Sequence, residues 1–417
     1  MITFEMIQKD LNRICDDLMT LIKTPGPSQA VARISENDPR INKSFPMTET
    51  VRGLVAAINK QNKINISVRE DHGNIVLVGG LQHEPTQSEI KSIPTVIGAH
   101  LDEITYLISN RARIEDSYRL IPLCSPPTRQ YDEKDHPFKH EEATIHGFRG
   151  KEFVPLGRGK FHATRIIEED KRTHEKKYGD WVYLLKVDEE FRKIHEGDIA
   201  IQDYGTVSMK KKYDLESEIN AKALDDRVGS IVAIYTLKYL AGANPPIPAK
   251  AILAGDEEGV GLDVSWARLV KPTYEKFCKS DVVTILCDGI DGKNLDEFMK
   301  DRRNEVLSEA LLVPYTSDGK GAGDYGLFSL LKDEVIPRAE SSGHFEVKTT
   351  TDYVSRSFDP KIMNDFPLVA FVDWSNGKVG NRFARCHQDE TVKVKQILNL
   401  IGMMTYSVQY LHERLTH

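Results

Sequence analysis

Two hydrophobic rhythms divide the chain. Near its start Phe4, Ile7, Leu11, Ile14, Leu18 and Leu21 recur at spacings of three and four, lining one face of a helix that Pro25-Gly26-Pro27 ends. Val51, Leu54, Val55 and Ile58 repeat that period and predict a second helix. The period then drops to two: Ile64 to Val68 alternate, and Ile75-Val76-Leu77-Val78 follow as a second strand. Thr95-Val96-Ile97-Gly98-Ala99 is a continuous apolar run of the kind a strand shows when both faces of its sheet are covered. His100-Leu101-Asp102 stands at its C-terminal end.

From about Thr105 to Met209 no long helical period survives. Short strand-like pieces, such as Trp181 to Val187 and Asp198 to Gln202, alternate with charged turns, and Glu196-Gly197-Asp198 reads as a turn near the end. A small β-rich unit, residues 105–209, is therefore expected as an insertion. Beyond it Val228, Ile231, Val232, Tyr235 and Leu240 mark a helix, Ala249 to Ala254 a strand and Val264 to Val270 a short helix. Val282 to Cys287 and Leu368 to Val372 read as strands, and Ile397 to Leu411 as the terminal helix. Strands and helices alternating about one core predict a three-layer α/β/α domain formed by residues 1–104 and 210–417. Ligands of such sheets gather at the carboxyl ends of the strands.

Of the 417 residues 40% are hydrophobic and 29% charged, ample for a large core and unlike a disordered chain. The 63 acidic side chains outnumber the 56 basic ones, a formal net charge of -7, which disfavours a nucleic-acid partner. Lys210-Lys211-Lys212 lacks the aromatic companions of a nucleic-acid surface and reads as a solvated turn. No apolar run approaches the roughly 18 residues needed to span a bilayer, and Glu5, Lys9 and Asp10 interrupt the place of a signal-peptide core. A cytoplasmic protein with no membrane partner is expected. Cys15, Cys124, Cys278, Cys287 and Cys386 are odd in number and widely separated, which disfavours a disulfide framework or a cysteine zinc knuckle. Any metal would be held by histidine and carboxylates.

His100 and Asp102 lie two apart at a strand end, where the strand period sets both on one face: an imidazole able to bind a metal beside a carboxylate able to orient its ring. Alone, the pair reads more simply as a hydrogen-bonded histidine capping a strand. Asp225-Asp226-Arg227 begins a helix, so that one carboxylate can bridge two cations while the arginine pairs with its neighbour; an N-cap with a favourable helix-dipole acid explains the same residues. Glu257-Glu258 follow the buried strand Ala249 to Ala254 through Gly255. One of these acids can ligate a cation while the other takes a proton, although a solvated loop also carries adjacent acids. Asp288 closes the strand Val282 to Cys287, and His387 precedes the terminal helix. Each has a structural explanation. Together they place a His, Asp, Glu, Asp and His beside strand ends or helix starts, a set that suits two divalent ions sharing a bridging carboxylate better than one tetrahedral site.

In order and local sequence, Ala99-His100-Leu101-Asp102-Glu103, Lys222-Ala223-Leu224-Asp225-Asp226-Arg227-Val228-Gly229, Asp256-Glu257-Glu258-Gly259-Val260-Gly261, the strand ending in Asp288 and His387 resemble the M42 family of di-metal aminopeptidases, within the zinc exopeptidase clan. The resemblance runs through nearly the whole chain. It implies that Asp225 bridges two ions, that His100 and Asp288 complete one site and Glu258 and His387 the other, that Glu257 is the general base, and that Asp102 orients His100. A metal-bridging water would attack the scissile carbonyl of a short peptide, releasing its N-terminal residue. Zinc is the expected ion, with cobalt or manganese able to replace it. The family also implies a PDZ-like insertion and a homo-oligomer, commonly a tetrahedral dodecamer. Asp256 stands where many relatives carry Gln, and the stretch from Glu258 to Asp288 is longer than usual, making Asp291 a competitor for the ligand role. Asp373 to Arg385 replaces the usual Pro-Thr-Arg-Tyr approach to the last histidine, so the preferred N-terminal residue is not carried over.

Gly321-Ala322-Gly323-Asp324-Tyr325-Gly326 matches a dinucleotide-binding fingerprint, but Thr316 to Lys320 separate it from the preceding strand, late in the chain, and a loop is the expected role. Two other readings compete: a related metallo-hydrolase of N-acyl or C-terminal peptide bonds, and a catalytically silent metal-binding assembly protein. Retention of Glu257 argues against the silent form, because a structural site needs no free base beside a ligand.

Overall fold

The computed structural model of the chain describes residues 2–27, 46–114, 117–122, 139–149, 152–169, 176–188, 194–202, 212–255, 270–291, 306–313, 325–349, 368–376 and 390–416. The apolar run at the start folds as two helices, α1 (Phe4–Gln8) and α2 (Leu11–Lys23), where the spacing predicted one. The break falls at Asp10, whose carboxylate is drawn away by the Lys238 ammonium and by the Tyr239 hydroxyl at 2.6 Å. Helix α3 (Pro46–Asn62) and strands β1 (Ile66–Asp71), β2 (Asn74–Gly79) and β3 (Thr95–His100) follow in the predicted order, with helix α4 (Gln87–Ser92), which the sequence pattern did not predict, between β2 and β3.

Six antiparallel strands come next: β4 (Thr105–Ile114), β5 (Ser117–Pro122), β6 (Lys139–Arg149), β7 (Glu152–Glu169), β8 (Lys176–Val187) and β9 (Ile199–Gln202). They close into a barrel in the order β4-β5-β8-β7-β6-β9. Closure removes the sheet edges that a small β unit would otherwise expose. Tyr106, Ile108, Leu120, Ile145, Phe161 and Leu185 fill its interior, with the Tyr106 and Phe161 rings 5.0 Å apart. Gly197 makes the expected turn before β9 with a φ of +90°, a conformation that favours glycine. The neighbouring Asp198 carboxylate accepts from Arg149 at 2.9 and 3.0 Å and from the His195 N–H at 2.7 Å.

The chain then returns through β10 (Glu218–Ala221), α5 (Leu224–Ala241), β11 (Ala249–Ala254), α6 (Lys271–Phe277), β12 (Val283–Asp291), β13 (Ala310–Val313), α7 (Tyr325–Leu330), α8 (Ile336–Gly343), β14 (Val347–Thr349), β15 (Leu368–Asn376), β16 (Glu390–Lys393) and α9 (Val394–Thr416). Eight strands form one sheet in the order β1-β2-β11-β3-β12-β15-β13-β14. Its middle four, β11, β3, β12 and β15, are mutually parallel, so their carboxyl ends share one edge. Alternate residues divide between two apolar clusters. Ile75, Leu77, Ile97, Ala251 and Leu253 pack with α2, α3, α5 and α9, whereas Val76, Val78, Val96 and Ile252 pack with Ile90 of α4 and with Tyr274 and Phe277 of α6. Both sheet faces are thus covered, which is why these strands read as continuous apolar runs.

Strand β12 is longer than its sequence predicted. It was expected to end at Cys287, yet β15 supplies partners through Asp288↔Asp373 and on to Asp291↔Asn376, so Asp288 lies inside the strand and does not close it. Cys15, Cys278 and Cys287 are buried free thiols. Cys124, Cys386, residues 264–269 of the predicted short helix and Gly321 to Asp324 of the glycine motif lie outside the described residues, as do Lys210 and Lys211. Among the described residues no helix is long and apolar enough to cross a membrane.

Candidate metal centre

His100 ends β3 on the shared carboxyl edge, next to Ala254 of β11. Its imidazole stands between two carboxylates: Nδ1 is 3.3 Å from Asp102 Oδ1 and Nε2 is 3.3 Å from Asp225 Oδ1. All three side chains are buried, at 2, 1 and 7% exposure. The two aspartates reach the ring from different parts of the chain, and the second arrives through an irregular turn.

That turn runs from β10 into α5. Ala223 takes the left-handed conformation (φ 51°, ψ 31°), reversing the chain, and Asp225 and Asp226 are still non-helical. The two acids then divide. Asp226 Oδ1 accepts the Gly229 N–H at 2.8 Å, satisfying one of the unpaired donors at the start of a helix, and its Oδ2 accepts the His100 N–H at 3.2 Å. A Cβ on Gly229 would stand 2.3 Å from Asp226 Oδ1, so a larger residue there would displace the Asp226 carboxylate. Asp226 thus caps the regular part of α5, which starts after its two non-helical acids, as the plainer explanation required. Asp225 instead turns its carboxylate to His100, while its own N–H donates to Glu390 Oε2 at 2.8 Å.

Arg227 does not pair with its neighbouring acids, as the sequence suggested. Its wholly buried guanidinium donates to Glu103 Oε1 at 2.9 Å and to the carbonyls of Leu21 and Ile22 at 2.8 and 2.9 Å, near the C-terminal end of α2. Asp226 is already occupied by two backbone donors, which leaves Glu103 as the carboxylate within reach. Glu103 also accepts the Gly26 N–H at 2.9 Å and pairs with Lys222 at 2.9 Å. Burial works to raise the Glu103 carboxyl, but the Lys222 and Arg227 charges and the Gly26 N–H outweigh it and hold the pKa at about 2. This ion cluster fastens the segment after His100 to the turn that carries Asp225.

Two further groups come close. A Cβ on Gly289 would be 2.9 Å from Asp225 Cγ, so the backbone of β12 immediately after Asp288 closes against that carboxylate. Asn74 Oδ1 accepts the Gly255 N–H at 3.2 Å and its amide donates to Thr273 Oγ1 at 2.9 Å, anchoring the residue that leads to Glu257 and Glu258. Glu257, Glu258 and His387 lie outside the described residues, as do the side chains of Asp288 and Asp291. The described chain therefore unites His100, Asp102 and Asp225, with the main chain at Asp288 alongside. Glu103, Glu390 and Asn74 went unassigned in the sequence. For Glu103 a signal existed, because a basic residue on each side of Asp225-Asp226 needs a carboxylate partner if buried. Nothing marked Asn74.

These donors fit a metal ion. Two ligands of a tetrahedral ion with bonds of about 2.0–2.1 Å stand roughly 3.4 Å apart, close to the separation of His100 Nε2 and Asp225 Oδ1. The carboxylate at Nδ1 is the usual partner of a ligating imidazole, since it fixes the tautomer and leaves Nε2 with its lone pair outward. Among the described residues no three His, Cys, Asp or Glu side chains form a metal cage.

No family model and no curated protein matches the sequence. Solved structures do. Aminopeptidase APDkam598 from the archaeon Desulfurococcus kamchatkensis superposes with a TM-score of 0.63 at 17% identity, covering 96% of this chain and 95% of its own. The TET aminopeptidase of Thaumarchaeota archaeon SCGC AB-539-E09 gives 0.62 at 14% identity, covering 96% of each chain. The TET1 peptidase of Pyrococcus horikoshii, which can assemble into a tetrahedron or a large octahedral shell, gives 0.58 at 14% identity over 94% of this chain and 98% of its own. The motif resemblance and the likeness of the whole chain lead to the same group: this protein has the fold of the TET aminopeptidases.

Proposed function

We propose that this chain is an M42-type, metal-dependent aminopeptidase that removes N-terminal residues from short peptides. The observation that carries the reading is the buried His100 ring held between Asp102 and Asp225, with Nε2 and a carboxylate oxygen converging at 3.3 Å. Asp225 is the proposed bridge between two divalent ions, His100 and Asp288 the further ligands of one, and Glu258 and His387 those of the other. Zinc is the proposed ion, with cobalt or manganese able to substitute. When bound, such ions polarise a peptide carbonyl and lower the pKa of the attacking water.

The residues supply the rest. Asp102 orients the His100 ring, and the buried ion cluster of Glu103, Lys222 and Arg227 keeps the two proposed ligand segments in register. Glu257, two positions after Gly255 in the sequence, would take the proton of the attacking water and pass it to the leaving amine. The three-layer domain of residues 1–104 and 210–417 would carry this chemistry. The insertion at 105–209, whose strands form the barrel, would act as a PDZ-like assembly or lid unit. A homo-oligomer, most simply a dodecamer, and a cytoplasmic location complete the proposal; the assembly of the Pyrococcus horikoshii TET1 peptidase into a tetrahedron or a large octahedral shell supports the first.

Hydrolysis of aminoacyl chromogenic substrates and short peptides by zinc-, cobalt- or manganese-loaded protein tests the reading. Chelator-sensitive release that stops when the substrate amine is acylated is the expected result. Cleavage of the blocked peptides instead would assign the chain to N-acyl hydrolysis, and two bound ions without turnover would mark a silent assembly protein.

A further inference from the structure

Glu390 has no part in the proposed ligand set, yet it is 1% exposed and its Oε2 accepts the Asp225 N–H at 2.8 Å. It opens β16 and pairs with Ala221 of β10, four residues before Asp225. Asp225 lies outside helical geometry, at φ −80° and ψ 108°, so its N–H belongs to neither a helix ladder nor a strand. A buried N–H in such a turn requires a partner, and a carboxylate makes a shorter and stronger bond than a neutral acceptor. Rotation about the Asp225 N–Cα bond would swing the side-chain carboxylate away from His100. The bond to Glu390 opposes that rotation from one side, while the capping bonds of Asp226 hold the other.

We infer that Glu390 is a positioning residue that fixes the Asp225 carboxylate toward His100, so that the bridging position is set only when the two-stranded ribbon of β10 and β16 has paired. Glu390 also follows His387 by three positions, and the same bond therefore ties the turn of one proposed ligand to the segment of another. The inference rests on the metal-site reading for its functional meaning, but not for its geometry.

The experiment compares wild-type protein with Glu390→Ala, Glu390→Gln and Thr391→Val. Thr391 Oγ1 accepts from Asn220 Nδ2 at 2.9 Å in the same ribbon and is not a partner in the Glu390–Asp225 bond, so its variant reports what weakening the ribbon does with that bond left in place. Zinc affinity by competition with a chromogenic chelator is expected to fall about tenfold or more in the Ala variant, to be largely recovered by Gln, whose amide oxygen accepts the same bond, and to stay at the wild-type value in Thr391→Val. Amide hydrogen exchange of residues 222–226 in metal-free protein should accelerate in the Ala variant only. Unchanged exchange and affinity in Glu390→Ala, or an equal loss in Thr391→Val, would overturn the inference. Wild-type protein that binds no zinc would overturn the metal reading, and the exchange comparison would then decide the positioning role by itself.

Discussion

Arg227 Nη2 and Glu103 Oε1 meet at 2.9 Å in the interior, with side-chain exposures of 0 and 4%. Around this pair the end of α2, the segment after β3 and the turn before α5 are drawn to one point, because the guanidinium also holds the Leu21 and Ile22 carbonyls and the carboxylate also holds the Gly26 N–H. Arg227→Met keeps the bulk but leaves the buried Glu103 charge with only the Lys222 ammonium and the Gly26 N–H. Removing one partner of a buried pair costs about 3–5 kcal/mol, and a fall of that size is expected in urea unfolding. A loss below about 1 kcal/mol, the range of exposed ion pairs, would mean that the pair is not a structural hub.

The same cluster makes the fold sensitive to acid. A carboxyl held at about 2 against an ordinary value of 4.5 contributes stability that is fully present above 4.5 and is lost as the pH falls through that range toward 2. Glu103→Gln should therefore be less stable than wild type at neutral pH, with the gap narrowing on acidification. Unfolding curves at pH 7, 5 and 3 measure it, and a gap that does not shrink argues against an ionised Glu103.

Gly289 offers a check on the site that leaves the ligands alone. A methyl at Gly289 would press on the Asp225 carboxylate at 2.9 Å. Gly289→Ala is expected to reduce zinc affinity by at least tenfold, in the range seen when groups behind a ligand are changed. Equilibrium dialysis with the metal content read by mass spectrometry provides the comparison, and wild-type zinc retention would place the metal elsewhere.

Base and bridge can be separated by their effects. Glu257→Gln is expected to lower kcat by about 10²–10⁴, the usual worth of a general base, with metal content retained. Asp225→Ala should empty both ion positions and abolish turnover. Near wild-type activity in the Gln variant would remove Glu257 from the mechanism.

Chelation gives the last expectation. A chelator should abolish peptide release and lower the melting temperature, since a ligand of the native state alone stabilises it by mass action; added zinc should restore both. A melting curve unmoved by chelation would show that no ion is bound at the folded site.

The covered strands were legible in the sequence because their apolar runs are long and both faces of the sheet are packed, so Thr95 to Ala99 and Ala249 to Ala254 needed no partner to be recognised. The strand-end position of His100 followed from the same pattern, as did the β-rich texture between the two halves of the sheet. What escaped were the features that depend on who sits opposite. The helix break at Asp10 requires Lys238 and Tyr239, and the extension of β12 past Asp288 requires the ladder of β15. Residue pattern alone does not divide the labour between Asp225 and Asp226; the family resemblance singled out Asp225 without giving the reason. The division arises because the backbone donors of His100 and Gly229 claim Asp226, leaving Asp225 to face the imidazole. Period and composition act locally and fix the elements. The partners of a buried charge are chosen by distance in the folded chain, and only the tertiary structure could name Glu103 for Arg227 and Glu390 for Asp225.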